Sequence, residues 1–434
     1  MQERFDAVII GAGIIGAATA FELSKRGWHT LNVDRLPAAG YGSTSNSCAI
    51  IRTYYSTFEG CAMAFEGYHA WKNWAGHLSV EDERGLAEFH ECGTLILKTE
   101  HNRYMAPILD IAKQLGIRYA EWDNADIESR LPGWDLRRYA PVKRPDQPGF
   151  GEPSGDAVVG GVFFPQGGYV NDPQLATHNL QRAAEAAGAT FRFNSRVSAI
   201  QRREGRVTGV TLAGGETVDT PVVVNIAGPH SGKINALAGV GNGMRMRTRA
   251  LRTEVVYLRG PDGHYGDGVG LVTSDSDTGC YSRPAGADQI LIGSEDPPCD
   301  PPEWVDPDHF DRNMSEQGRV QLMRSAQRAP ALGIPNRISG VVDLYDVTDD
   351  WIPIYDKSDL SGFYMAIGTS GNQFKNAPVV GQLMSELIHA CEAGHDHDSD
   401  PLRFALRHTS REISLGFYSR NREINQDSSF TVLG

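Results

Sequence analysis

The chain opens on a near-continuous apolar run, Phe5-Asp6-Ala7-Val8-Ile9-Ile10, which runs directly into Gly11-Ala12-Gly13-Ile14-Ile15-Gly16. From Ala17 to Arg26 the apolar positions Ala17, Ala20, Phe21 and Leu23 recur at helical spacing, and Gly27 stops the pattern. Thr30-Leu31-Asn32-Val33 predicts a second strand, with Asp34 at its carboxyl end. Further strands are predicted at 92–97, 161–164, 190–193 and 362–368, and helices over 57–74, 103–115, 173–187, 308–328 and 377–393. In the helix at 57–74, Phe58, Phe65, Tyr68 and Trp71 read as core. Residues 206–224 alternate as a hairpin turned at Gly214-Gly215, and Val222 to Gly228 is the apolar run of a buried parallel strand. Short runs broken by Gly, Asp and Pro over 252–296 predict an antiparallel sheet in a second domain. A strand and turn follow at 340–350. Residues 124–155, rich in proline and charge, read as loop.

The opening strand, glycine triplet, helix and second strand make a βαβ unit carrying a dinucleotide fingerprint. Gly11 permits the tight turn out of the strand. Gly13 lets the backbone approach a pyrophosphate, and Gly16 lets helix and strand pack closely. The helix N-terminus presents unpaired N–H groups and a positive dipole end to phosphate. Asp34, eighteen residues after Gly16, is placed to accept hydrogen bonds from an adenosine ribose. Gly42-Ser43-Thr44-Ser45-Asn46-Ser47 then forms a polar loop suited to lie against phosphates or a ring system.

Composition narrows the class. A chain of 434 residues exceeds what one hydrophobic core usually serves, so two domains are expected. A net charge of −13 argues against nucleic acid as a partner. No stretch approaches a transmembrane span, no signal peptide is visible, and six scattered cysteines indicate reduced thiols, so a cytoplasmic location is expected. They form no zinc-type spacing, and no metal is expected. His395-Asp396-His397-Asp398 reads as a solvated turn.

Five places together resemble the FAD-dependent amine and amino-acid oxidoreductases of the D-amino-acid oxidase superfamily, nearest the group around monomeric sarcosine oxidase, glycine oxidase and the D-amino-acid dehydrogenases. They are Gly11 to Gly16 with Asp34, Gly42 to Ser47 with Arg52, Asn225 to Gly228, Tyr345 to Ile354, and Gly368 to Lys375 before the last helix. The resemblance implies an α/β (α+β) fold: a Rossmann-like FAD-binding domain plus a substrate domain with a large antiparallel sheet. The expected FAD-binding domain comprises residues 1–85, 155–230 and 340–395. The substrate domain comprises 86–154 and 231–339, and 396–434 is a C-terminal extension. The residues expected to contact FAD are Gly11, Gly13, Ile14, Ile15, Gly16, Asp34, Arg35, Gly42, Ser43, Thr44, Ser47, Val197, Ala227, Gly228 and the run Gly371, Asn372, Gln373, Phe374 and Lys375. The resemblance also implies that the Gly371 loop and the helix after it face the pyrimidine side of the flavin, where a helix N-terminus stabilises negative charge.

Arg52 and Lys375 match the positions that hold a substrate carboxylate in the sarcosine oxidase group. Arginine suits a planar carboxylate and lysine adds a point charge. Tyr281 and Tyr345 match aromatic positions near the substrate, with core packing as their alternative. Three departures are informative. Asp343 stands where members with covalent flavin have a cysteine, so a noncovalent FAD is expected. The strand Gln289 to Gly293 lacks the lysine that helps oxygen react, which keeps a dehydrogenase open beside an oxidase. Glu295 replaces a histidine of the small-substrate oxidases, either meeting a polar or cationic substrate group or standing in solvent. The implied activity is oxidation of the C–N bond of an amino acid or N-substituted amino acid, with electrons passed to O2 or another acceptor. A hydroxy-acid dehydrogenase and the flavin subunit of a larger complex are the alternatives, and the oligomeric state stays open.

Overall fold

The computed structural model describes residues 4–261, 270–286 and 288–434. The opening pattern folds as the centre of a six-stranded sheet. Its order is Thr190–Arg192, Thr30–Val33, Ala7–Ile10, Val223–Asn225, Phe363–Ile367 and Ile354–Lys357. The first five strands run parallel and the last antiparallel. Val8 pairs with Leu31 on one side and Val223 on the other, which explains the uninterrupted apolar runs: both faces of these strands are covered.

The first helix spans Ile14–Lys25, starting three residues before the apolar periodicity does. Gly13 is its N-cap in extended conformation, so helical geometry begins directly at Ile14. Every residue of this helix but Lys25 is buried, because the helices Pro173–Ala186 and Ala377–Glu392 pack against it. A helix buried all round carries little sequence periodicity. Gly381 permits the crossing with the last helix, since a Cβ there would meet the Ala18 carbonyl at 2.6 Å.

The second large element is a nine-stranded sheet. Its order is Glu303–Val305, Thr248–Arg259, Gln289–Ser294, Cys280–Pro284, Val272–Asp275, Thr94–Leu97, Gly161–Phe164 and Ala120–Trp122, with Ser339–Thr348 also paired to the long strand Thr248–Arg259. It is mixed rather than purely antiparallel, because Val272–Asp275 and Thr94–Leu97 run parallel. Gly161–Phe164 and Ser339–Thr348, expected with the nucleotide domain, pair within this sheet instead. Local alternation defines a strand but not which sheet receives it, so the expected boundaries cut through these pairings.

Other local differences have simple causes. The helix expected over 308–328 occupies only Glu316–Arg328, capped by Ser315, whose Oγ accepts from Gln317 N at 3.1 Å. Ahead of it, Asp311 accepts from the Asn313 amide at 2.9 Å, a local bond that favours a turn over a helix. The 124–155 stretch contains the helix Asn124–Arg130, held by reciprocal capping between Asp123 and Asp126. In the helix Phe58–Lys72, Phe65, Tyr68 and Trp71 are buried as expected, and Phe58 is half-buried. The His395–Asp398 run is not simply solvated. His397 is buried and accepts from the Leu402 amide at 3.0 Å, while Asp398 pairs with Arg420 at 2.8 Å and Lys357 at 2.7 Å. Among the described residues, no helix is long and apolar enough to cross a membrane.

Candidate active site

Between the two sheets lies a cavity of about 1080 Å³, at the upper end of the volumes typical of small-molecule sites, roughly 300–1,000 Å³. Every residue expected from the sequence to contact cofactor or substrate lines it, with one exception, Glu295.

One end is built by the glycine turn. Gly11 has φ +111°, and a Cβ there would strike the Ile226 carbonyl at 2.2 Å. A Cβ on Gly16 would meet the Gly11 carbonyl at 2.0 Å. Gly13 differs, because a Cβ there meets only the Thr44 hydroxyl, at 3.1 Å, on the cavity side. The first two glycines are therefore required by the fold, and the third keeps space open. Thr44 Oγ1 accepts from the Ile14 amide at 3.2 Å, so the polar loop crosses the helix N-terminus, which has no side-chain cap of its own. Asp34 accepts from the amides of Ala12 at 2.7 Å and Leu36 at 2.8 Å, fixing the turn while lining the cavity.

A loop from the substrate side covers this end. Asp308 pairs with Arg35 at 2.6 Å and with Lys233, and Lys233 also holds Asp306 at 2.7 Å. These cations hold the Asp308 carboxyl below the usual carboxylate range. Sequence reasoning placed 308 in a helix and missed this cover, because its pairing partners lie far away in the chain.

Asp343 lines the cavity. Its carboxylate accepts from Ser43 Oγ at 3.3 Å and Asn46 Nδ2 at 2.6 Å. Asn372, in the loop before the last helix, also lines the cavity, and its side-chain Nδ2 is buried without a partner. The helix Ala377–Glu392 has no side-chain cap at its N-terminus. The open space over Gly13, the orphaned Asn372 amide and the N-terminus of the helix Ile14–Lys25 make a cradle that fits a pyrophosphate-bearing cofactor.

Arg52 and Lys375, two buried basic residues 5% and 3% exposed, also line the cavity. The Tyr55 ring lies between them, 4.1 Å from the guanidinium and 5.1 Å from the ammonium. Lys375 Nζ donates to Tyr55 Oη at 2.9 Å and to the Asn372 carbonyl at 2.6 Å. Arg52 donates to the carbonyls of Tyr54 at 2.7 Å and Val432 at 3.0 Å. Among the described residues, neither cation has a carboxylate partner. Burial pushes the Lys375 pKa well below its ordinary value, and the Arg52 charge adds to that. Trp71 braces this wall by donating to the Lys375 carbonyl at 2.8 Å.

Tyr281 and Tyr345 form the opposite side. Tyr281 Oη contacts Cys48 Sγ at 3.2 Å, and Gly293 on the neighbouring strand leaves the room its ring fills. The Tyr345 ring packs over Gly371, where a Cβ would meet it at 2.5 Å. Burial raises both phenols above their usual range. Glu295 stands neither in the cavity nor in solvent. It is buried, accepts from Ser274 Oγ at 2.6 Å and the Asp275 amide at 3.1 Å, and leaves its second oxygen unpartnered. Burial pushes its pKa up to about 8. Tyr54 and Tyr55 were missed in the sequence, although only Thr53 separates them from Arg52. An aromatic doublet two residues from a basic position was the available signal.

Over residues 6–387 the chain matches the DAO family, described as FAD dependent oxidoreductase. The chain belongs to this family. It is 23% identical to glycine oxidase from Geobacillus kaustophilus over 91% of this chain and 96% of that protein. It is 24% identical to 4-methylaminobutanoate oxidase (formaldehyde-forming) from Paenarthrobacter nicotinovorans, over 93% of this chain and 46% of that protein. Its fold superposes on the crystal structure of L-proline dehydrogenase from P. horikoshii with a TM-score of 0.73, at 21% identity over 89% of this chain and 94% of that one. The chain is therefore an FAD-dependent oxidoreductase.

Proposed function

We propose that this DAO-family enzyme oxidises the C–N bond of an amino acid or an N-methyl-type amino acid to an imine, which hydrolyses to the oxo product. The observation that carries this reading is the pair of buried basic residues, Arg52 and Lys375, sharing Tyr55 at the cavity wall without an acidic partner among the described residues. Burial and the Arg52 charge disfavour the charged form of Lys375 in the empty site, and an arriving carboxylate offsets both. Its approach brings the Lys375 pKa back up, so the lysine takes a proton and becomes the point charge that the acid needs. Arg52 supplies the planar donors that fix the carboxylate's orientation. Tyr281 and Tyr345, both kept neutral by burial, offer ring faces to the substrate's amine end and help keep water out. FAD, when bound, would supply the two-electron oxidation at the α-carbon; these residues supply positioning, which is worth much of the barrier. The electrons would go to O2, giving hydrogen peroxide, or to another acceptor. Names among the relatives support the substrate class: glycine oxidase, 4-methylaminobutanoate oxidase and N-methyl-L-tryptophan oxidase.

The test is anaerobic stopped-flow bleaching of the flavin's visible band across amino acids, N-methyl amino acids, plain amines and hydroxy acids. Fast bleaching is expected with one or more amino acids or N-methyl amino acids. Bleaching by hydroxy acids or plain amines alone contradicts the proposal.

A further inference from the structure

Lys375 belongs to a closed set of hydrogen bonds that leaves one place on its nitrogen. Its Nζ donates to Tyr55 Oη at 2.9 Å and to the Asn372 carbonyl at 2.6 Å. Tyr55 Oη in turn donates to that same carbonyl at 2.6 Å. A charged lysine has three N–H donors, whereas a neutral one has two and a lone pair. The two bonds therefore satisfy a neutral amine and leave its lone pair unused. An ammonium in the same place has a third N–H with no acceptor among the described residues. The side chain lines the cavity while being 3% exposed.

The groups that face Lys375 favour the neutral form. Burial holds its pKa well below the ordinary value, and Arg52, across the Tyr55 ring, adds to the effect. Tyr54 and Tyr55, and Cys61 on the helix Phe58–Lys72, are neutral, each pushed up to about 12 by burial. Burial likewise raises Tyr345, packed over Gly371, and Tyr355, bonded to Gln373 at 2.9 Å. Asp346 faces the start of the same loop, with its carboxylate on the Gly368 amide at 2.6 Å, and burial pushes its pKa up to about 7.

An amino acid brings the opposite need. Its nitrogen arrives as an ammonium, which has no lone pair with which to form the C=N bond of an imine. The lysine lacks a proton, and the substrate nitrogen carries one too many. We infer that Lys375 is the base of this site, entering the reaction neutral and taking a proton from the substrate's ammonium group. The substrate N–H bond breaks, its electron pair stays on the substrate nitrogen, and the proton forms the third N–H bond on Nζ. One transfer leaves the amine able to become an imine and gives Lys375 the charge with which it holds the carboxylate. No proton is exchanged with solvent. This rests on the reading of Arg52 and Lys375 as the carboxylate-binding pair.

The experiment counts protons taken up on binding, with an indicator dye in weakly buffered neutral solution. The ligands are isobutyrate and α-aminoisobutyrate, which share a carbon skeleton. The first lacks the nitrogen, and the second has no hydrogen on the α-carbon to lose. Binding to flavin-loaded wild type, Lys375→Met and Lys375→Arg is followed by the flavin absorption band. Wild type is expected to take up about one proton with isobutyrate and none with α-aminoisobutyrate. Both variants are expected to take up none with either ligand. Lys375→Arg keeps the charge but cannot accept a proton. Its flavin bleaching by an amino-acid substrate then needs the free amine, so the acid limb of the pH profile is expected to rise by at least about one pH unit. No uptake with isobutyrate, equal uptake with the two ligands, uptake that persists in Lys375→Met, or an unmoved acid limb in Lys375→Arg overturns the transfer and leaves the carboxylate reading standing. Where one substitution loses the flavin, the other decides. Failure of wild type to bind either acid overturns the carboxylate reading, and the transfer with it.

Discussion

Glu295 shows what a single position does when its environment is hidden from the sequence. Flanked by Ser294 and Asp296, it looks like a surface acid, yet the fold buries it behind Tyr54 and Ser274. Its carboxyl titrates near pH 8 in the folded chain, against an ordinary value of 4.5. Between these values the folded chain holds a proton that the unfolded chain has released, so stability falls as pH rises through that window. Glu295→Gln removes the ionisation at nearly constant shape. Its melting temperature relative to wild type is expected to climb by at least about 2 °C between acid pH and pH 8. A pH-independent difference contradicts the assignment. Arg52 and Lys375 were legible for the opposite reason: a matched motif flanks each of them. What the sequence did not reveal is that Tyr55, itself unremarked, joins the two.

The glycine turn is the element on which the cofactor end depends, and its three glycines are not equivalent. Gly16→Ala drives a Cβ into the Gly11 carbonyl, at 2.0 Å, and is expected to leave little folded protein. Gly13→Val adds bulk on the cavity side only, so a folded but flavin-free protein is expected. Far-UV circular dichroism and the flavin-to-protein absorbance ratio separate the two outcomes. Full flavin occupancy in Gly13→Val contradicts the reading of this turn. The βαβ unit was legible because all its determinants are local: apolar run, glycines, helix, second strand. The membership of Gly161–Phe164 and Ser339–Thr348 was not, since strand pairing is decided by partners far away in the chain. The same distance hid the covering loop, where Asp308 meets Arg35 and Lys233.

At the scale of the whole molecule, two sheets enclose one cavity, with an ion-paired loop over one end and the 428–434 stretch over the other. Asp343 lines the cavity, tied to Ser43 and Asn46, and Cys48 is a half-buried thiol in contact with Tyr281. Burial raises that thiol's pKa, so it lacks the thiolate character that covalent flavin attachment needs. FAD is therefore expected to leave with the supernatant when the protein is precipitated by acid or heat; flavin remaining on the polypeptide contradicts this. The central claim is that the cavity selects a carboxylate. The most direct measurement compares one amino-acid substrate with its decarboxylated amine in flavin-loaded wild type, Arg52→Ala and Lys375→Met. A charge-assisted bond is worth roughly 1.5–3 kcal/mol, so each substitution is expected to raise KM for the acid by about 10- to 100-fold. The amine is expected to be a poor substrate in all three forms and nearly indifferent to either change. Wild-type preference for the amine, or unchanged KM for the acid in both variants, contradicts the account.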